Sequence, residues 1–162
     1  MQPAIIYVTR TGHCRTLAEY ASALTGGKAW EIFDKVPRQG FLGFIRSGRQ
    51  ATFGMATPIE DPQADLHDAA TVLIISPVWA GKISPPLRTW LRAHREELRG
   101  RTILLVASNS GGSTERFRKG FEQECCPAAD LLSVSTREPA SERTARLQQF
   151  LSRHGLLHAP ST

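Results

Sequence analysis

The stretch Ala4-Ile5-Ile6-Tyr7-Val8-Thr9-Arg10-Thr11-Gly12-His13-Cys14-Arg15-Thr16 decides how the rest of the chain is read. Ile5, Ile6, Tyr7 and Val8 are β-branched or aromatic with almost no polar interruption, which predicts a strand buried on both faces of a parallel sheet. Thr9, Thr11 and Thr16 add hydroxyl donors, and Gly12 lets the backbone approach a ligand. The helix that follows directs its free N–H groups into the turn. A phosphate is the natural occupant of such a place. Leu17, Tyr20, Ala21 and Leu24 recur at i, i+3, i+4 and i+7, and Gly26-Gly27 ends the helix. Strand, turn and helix make one βα unit.

Other anion sites fail on the letters. No G-x-G-x-x-G follows the first strand and no G-x-x-x-x-G-K-[ST] occurs, so phosphate binding rests on threonines and backbone. A cysteine phosphatase of the low-molecular-weight kind wants arginine six residues after the cysteine, where this chain has Tyr20. The bland alternative, a plain helix cap across Thr9 to Thr16, stays open.

The 162 residues suffice for one core and predict a single domain over residues 1–157, with a frayed tail at 158–162. No run of 18 apolar residues and no leader pattern occurs, so a soluble, cytoplasmic protein without membrane contact is expected. The three cysteines, two adjacent as Cys125-Cys126, fit neither a disulfide framework nor zinc spacing, and no metal is expected. A formal net charge of +5 favours acidic or phosphorylated partners. Lys35, Arg38, Arg46 and Arg49, with Phe41, Phe44 and Phe53 interleaved, contribute a basic segment without an acid before Ile59. It reads as a solvated loop with a short packed helix, or as a docking face for an acidic protein; nucleic acid is not favoured.

Further strands are expected at 28–33, 70–76, 102–107 and 131–135. Ser84-Pro85-Pro86 predicts a helix start, with Leu87, Trp90 and Leu91 on one face. Ser113 is the expected cap of another helix facing Phe117 and Phe121 inward. A last amphipathic helix after Pro139 uses Thr144, Leu147, Phe150 and Leu151. Five strands alternating with helices predict an α/β three-layer sandwich, whose ligands bind beyond the carboxyl ends of the strands.

Two further loops lie there. Ser76-Pro77-Val78-Trp79-Ala80-Gly81-Lys82 places an aromatic between proline and glycine, suited to stack on a flat ring. Ser108-Asn109-Ser110-Gly111-Gly112-Ser113 offers backbone N–H groups to the edge of a planar ligand.

Together, Thr9-Arg-Thr-Gly-His-Cys, Ser76-Pro-Val-Trp-Ala-Gly and Ser108-Asn-Ser-Gly-Gly-Ser resemble the three FMN loops of the flavodoxin family. The resemblance implies a five-stranded parallel sheet in the order 2-1-3-4-5 and FMN as cofactor. It places Thr9, Arg10, Thr11, Gly12, His13, Cys14, Arg15 and Thr16 around the FMN phosphate. Pro77, Val78, Trp79, Ala80, Gly81 and Lys82 then lie along the isoalloxazine, and Ser108, Asn109, Ser110, Gly111 and Gly112 at its pyrimidine edge.

The pattern departs from the family in two ways. His13 and Cys14 stand where the family has asparagine and threonine, which removes a hydroxyl; Cys14 reads as a small residue or as a thiolate at a helix start. Lys82, Arg116, Arg118 and Lys119 replace the acidic surface of low-potential flavodoxins and imply a higher potential. Response regulators share the strand order but need acids where Thr9 and Ser76 stand. Three functions remain: an FMN-binding electron carrier serving a redox partner, an FMN-dependent NAD(P)H reductase of quinones or other small acceptors, and an interaction module that has lost FMN.

Overall fold

The computed structural model describes residues 2–35 and 56–159. Most of the basic segment, from residue 36 to Arg49, and Phe41, Phe44 and Phe53 with it, lie outside the described residues. The strands are β1 Ala4–Tyr7, β2 Ala29–Glu31, β3 Phe33–Asp34, β4 Ile59–Glu60, β5 Thr71–Trp79, β6 Lys82–Ile83, β7 Thr102–Asn109 and β8 Asp130–Ser135. The described helices are α1 His13–Thr25, α2 Pro85–Leu98, α3 Glu115–Glu124 and α4 Ala140–Arg153.

β2, β1, β5, β7 and β8 pair in that order, all parallel, which is the expected 2-1-3-4-5 arrangement. Period-two alternation then sorts the side chains into two cores. Ile5, Leu73, Ile75, Leu104, Val106 and Val134 meet Leu17, Ala18 and Ala21 of α1 and Leu147, Phe150 and Leu151 of α4. Ile6, Val72, Ile74, Ile103, Leu105 and Ala107 meet Leu87, Trp90 and Leu91 of α2 and Phe117 and Phe121 of α3. The sheet is buried on both faces, so its strands read as continuous apolar runs, and the three layers follow. Truncating any of these fully buried leucines to alanine costs about 2–5 kcal/mol.

Five local features differ from expectation. β5 continues past Ser76 to Trp79, because β7 pairs with it through Pro77 and Ser108 and β6 then folds back on Val78 and Trp79. Pro77 is tolerated because β1 pairs with β5 only up to Ile75, leaving the proline beyond that neighbour. β3 and β4 form a separate antiparallel ladder that no sequence pattern announced. Ser84 does occupy the N-cap position of α2, but its hydroxyl does not cap: it meets the Ser76 hydroxyl at 3.1 Å inside the core. The N-cap of α3 is Thr114, while Ser113 Oγ accepts the Glu115 N–H at 3.2 Å. His158, expected to open the tail, donates its N–H to the Leu24 carbonyl at 2.7 Å; residues 160–162 lie outside the described residues.

Candidate functional site

The parallel strands β1, β5 and β7 all point their carboxyl ends to one edge, and the three polar segments meet there. The first turn is built by its own hydroxyls. Gly12, at φ 94°, precedes the helix, in a region that costs an L side chain about 1–2 kcal/mol. Its N–H donates to Thr9 Oγ1 at 3.0 Å, and its carbonyl accepts from the Thr16 hydroxyl at 3.1 Å and the Thr16 N–H at 3.0 Å. Thr9 and Thr16 therefore shape the turn. No side chain caps α1. The first-turn N–H groups of His13, Cys14 and Arg15 are left for an anion, with the positive end of the helix dipole behind them. A methyl group at Gly12 would meet nothing within 4 Å, so the approach is open. Thr11 is exposed beside it, and Arg10 and His13 are half-buried.

Cys14 is not a reactive thiolate. It is 2% exposed, and burial pushes its thiol up to about 12 against a smaller lowering from a hydrogen bond with Ser108. That contact ties the first turn to the third from below. Arg15 also turns away from the turn: Nη2 donates to Glu31 Oε1 at 2.8 Å, and this bond, with a second to the Tyr7 hydroxyl, holds its guanidinium above the ordinary value.

The second segment is a tight hairpin and not a loop. Ala80 (φ 51°) and Gly81 (φ 75°) both lie in the left-handed region between the paired residues Trp79 and Lys82, as a type I′ turn requires. Trp79, the last residue of β5, is 7% exposed, so little of its ring is open to solvent. Ala80 at the tip is exposed, and Pro77, Val78, Gly81 and Lys82 are half-buried. Ser76 is fully buried and donates to the Pro77 carbonyl at 3.0 Å.

In the third segment Asn109 is the anchor. Its Nδ2 donates to Ser133 Oγ at 2.9 Å and its Oδ1 accepts the Gly111 N–H at 2.8 Å. Gly111 (φ 124°) and Gly112 (φ 102°) are exposed with Ser110. Ser108, by contrast, is 4% exposed and turned to Cys14. The exposed part of this loop is therefore Ser110, Gly111 and Gly112.

Two arginines stand at this edge: Arg116, which the sequence reading expected near the ligand loops, and Arg137, which it missed. A methyl group at Gly111 would stand 3.9 Å from Arg137 Nη1, and one at Gly81 would stand 3.8 Å from Arg116 Cδ. Arg137 follows β8 at the far end of the chain, and no local pattern pairs it with Gly111. Among the described residues no cluster of His, Cys, Asp or Glu is placed to hold a metal, and no helix is long and apolar enough to cross a membrane.

Comparison with known proteins bears on this edge. The sequence matches no curated protein. In fold, the chain is similar to a flavoprotein from Lactobacillus acidophilus solved in complex with FMN, at 16% identity and TM-score 0.71 over 82% of this chain and 92% of that one. It is also similar to a flavodoxin, WrbA-like protein from Agrobacterium tumefaciens, at 10% identity and TM-score 0.58 over 94% and 98%. The two-electron-reduced flavodoxin of Megasphaera elsdenii matches at 12% identity and TM-score 0.51 over 93% and 99%. The family model described as NADPH-dependent FMN reductase matches residues 7–120, from the end of β1 into α3, and so takes in all three edge segments. With most of its length inside that match, and a flavodoxin-like sheet beneath it, the chain belongs to the NADPH-dependent FMN reductase family.

Proposed function

We propose that this chain binds FMN at the carboxyl edge of its sheet and uses it to pass electrons from a nicotinamide dinucleotide to a small acceptor such as a quinone. The observation that carries the reading is the uncapped N-terminus of α1 beside Gly12, opposite the exposed Gly111 and Gly112 on the same edge. In this reading the N–H groups of His13, Cys14 and Arg15 and the Thr11 hydroxyl hold the phosphate. Val78, Ala80 and Gly81 line the ring, and Ser110 with the Gly112 N–H reads its pyrimidine edge. Trp79 positions the hairpin from beneath. Cys14 and Ser108 join the first and third segments, so that both donors are pre-set before a ligand arrives. Bound FMN supplies one- and two-electron chemistry that no side chain here offers. Lys82, Arg116 and Arg137 surround the ring with positive charge, which favours a reduced, negatively charged ring and raises its potential. The third segment carries no aromatic residue, which leaves room above the ring for a second substrate. The free thiols fit a reducing, cytoplasmic setting.

A flavodoxin-type carrier is the second reading, favoured by the likeness in fold to flavodoxins. The basic segment Lys35 to Arg49 is then its docking face for an acidic partner. Two measurements decide. Titrating flavin-free protein with FMN should quench flavin fluorescence, and Gly12→Val should weaken that binding at least tenfold; a protein that FMN cannot restore would leave only an interaction module. Holoprotein should then oxidise NADPH in steady state with a quinone present. A holoprotein reduced only by a partner protein would establish the carrier.

A further inference from the structure

A second basic concavity lies beside the hairpin, between β6, α2 and α3. It is an open groove of about 560 Å³ lined by Lys82, Arg88, Arg116, Lys119, Gln123 and Glu124. Arg88, in the first turn of α2, is its unusual member. It is 5% exposed, its Nε is buried without a hydrogen bond, and the nearest acid, Glu124 Oε1, is 3.6 Å away. Glu124 is already committed: both of its oxygens accept from Arg92, at 2.9 and 3.0 Å, and its carbonyl accepts from Arg95 at 2.8 Å. Burial works against the charge on Arg88 more than Glu124 supports it. A guanidinium withdrawn from water without hydrogen bonds is costly unless something else supplies the oxygens.

We infer that this groove binds a phosphate-bearing anion, with Arg88 as the buried anchor and Arg116 and Lys119 at the exposed rim. Phosphate fits because it is multiply charged and presents several oxygens at once, so that one group can accept from two or three cations. Four cations face one acid across the groove, and the Gln123 amide adds a neutral donor. A single carboxylate would repeat what Glu124 already does. The groove begins where the hairpin ends, since Arg116 flanks Gly81, yet none of its anchoring contacts requires a flavin. Lys82 and Arg116 also border the proposed ring site, but the anchor Arg88 and the rim Lys119 do not, so the inference stands whether or not that site binds FMN.

The test is a calorimetric titration of sodium pyrophosphate into the full chain, with and without saturating FMN. One equivalent should bind in both states, and binding should weaken at least tenfold in Arg88→Met and in the double variant Arg116→Glu/Lys119→Glu. Arg88→Met should keep or raise the melting temperature, because it removes a buried charge at similar volume. If it does not fold, the rim variant decides alone. Parallel titrations with NADP+ and NAD+ separate two sources of the phosphate. A preference for NADP+ that the rim variant erases makes the ligand a nucleotide phosphate, whereas tight pyrophosphate without that preference makes it a small phosphoanion. Absence of pyrophosphate binding would overturn the inference. So would binding that both variants leave unchanged and that FMN or Gly12→Val abolishes, because the anion would then sit in the Thr9 to Thr16 turn.

Discussion

The turn from Thr9 to Thr16 and the hairpin from Trp79 to Lys82 stand at the same edge of the sheet and achieve their shapes in opposite ways. The turn is held by contacts between near neighbours: Thr9 to Gly12 and Gly12 to Thr16, each within four residues. The hairpin is held by what lies under it. β7 draws β5 out to Pro77, and burial of Trp79 and Ile83 sets the strand ends. The hairpin also tolerates a left-handed alanine at position 80, where the turn uses glycine at position 12. Local hydrogen bonds make the first region a device that sequence can describe; tertiary burial makes the second one that it cannot.

Trp79 gives the sharpest way to break this contrast. Trp79→Ala should cost about 3–5 kcal/mol in denaturant unfolding, as for other buried aromatics. A loss below 1 kcal/mol, with FMN affinity falling instead, would return Trp79 to an open stacking role.

Cys14 offers a test beneath the first region. Its folded value, about 12, lies above its ordinary 9, so the unfolded chain ionises first and stability declines as pH rises from 9 towards 12. Below pH 9 this thiol contributes no pH dependence. Cys14→Ala should flatten part of the alkaline decline, and iodoacetamide should label Cys125 or Cys126 well before Cys14 in the native protein. Early labelling of Cys14 would mean that the turn is not closed over it.

The glycine and alanine positions probe backbone alone. Gly12→Ala should lower stability by about 1–2 kcal/mol, because the added methyl has space but the wrong dihedral. Ala80→Gly should raise it by about 0.5 kcal/mol, the relief of left-handed strain exceeding the extra freedom of the unfolded chain. Thermal unfolding of the pair in one buffer checks the signs. Smallest of all, Arg15→Gln should change stability by less than about 1 kcal/mol, because the Arg15 side chain is 47% exposed and water screens its pair with the more buried Glu31. A larger loss, or a tenfold loss of FMN affinity, would show that Arg15 leaves Glu31 for the ligand.

Much of the fold was legible because its signals are local and strong. Ile5 to Val8 and Thr102 to Ala107 are apolar throughout, as double-faced burial demands, and Ser84-Pro85-Pro86 marks the start of α2 where expected. The strand–turn–helix around Gly12 was legible for the same reason, since Thr9 and Thr16 each lie within four residues of that glycine. What local signals did not show was the partner of a polar or special residue when that partner is distant in sequence. Ser84 looked like a cap and pairs with Ser76; Ser108 looked like a ligand donor and is buried against Cys14. Arg15, expected near a phosphate, reaches from α1 to Glu31 on β2.

By itself, then, the order of residues determined the layered α/β architecture, the strand–turn–helix at its start and the three segments that converge on one edge. Those follow from periodicity and from turn chemistry, which act over a few residues. Tertiary structure decided which of those polar groups still face outward, that Trp79 is packed and Cys14 inert, and that Arg88, Arg116 and Lys119 share one groove with Glu124. Exposure, hydrogen-bond partners and charge balance belong to groups far apart in the chain, and only the packing of the sheet against its helices brings them together.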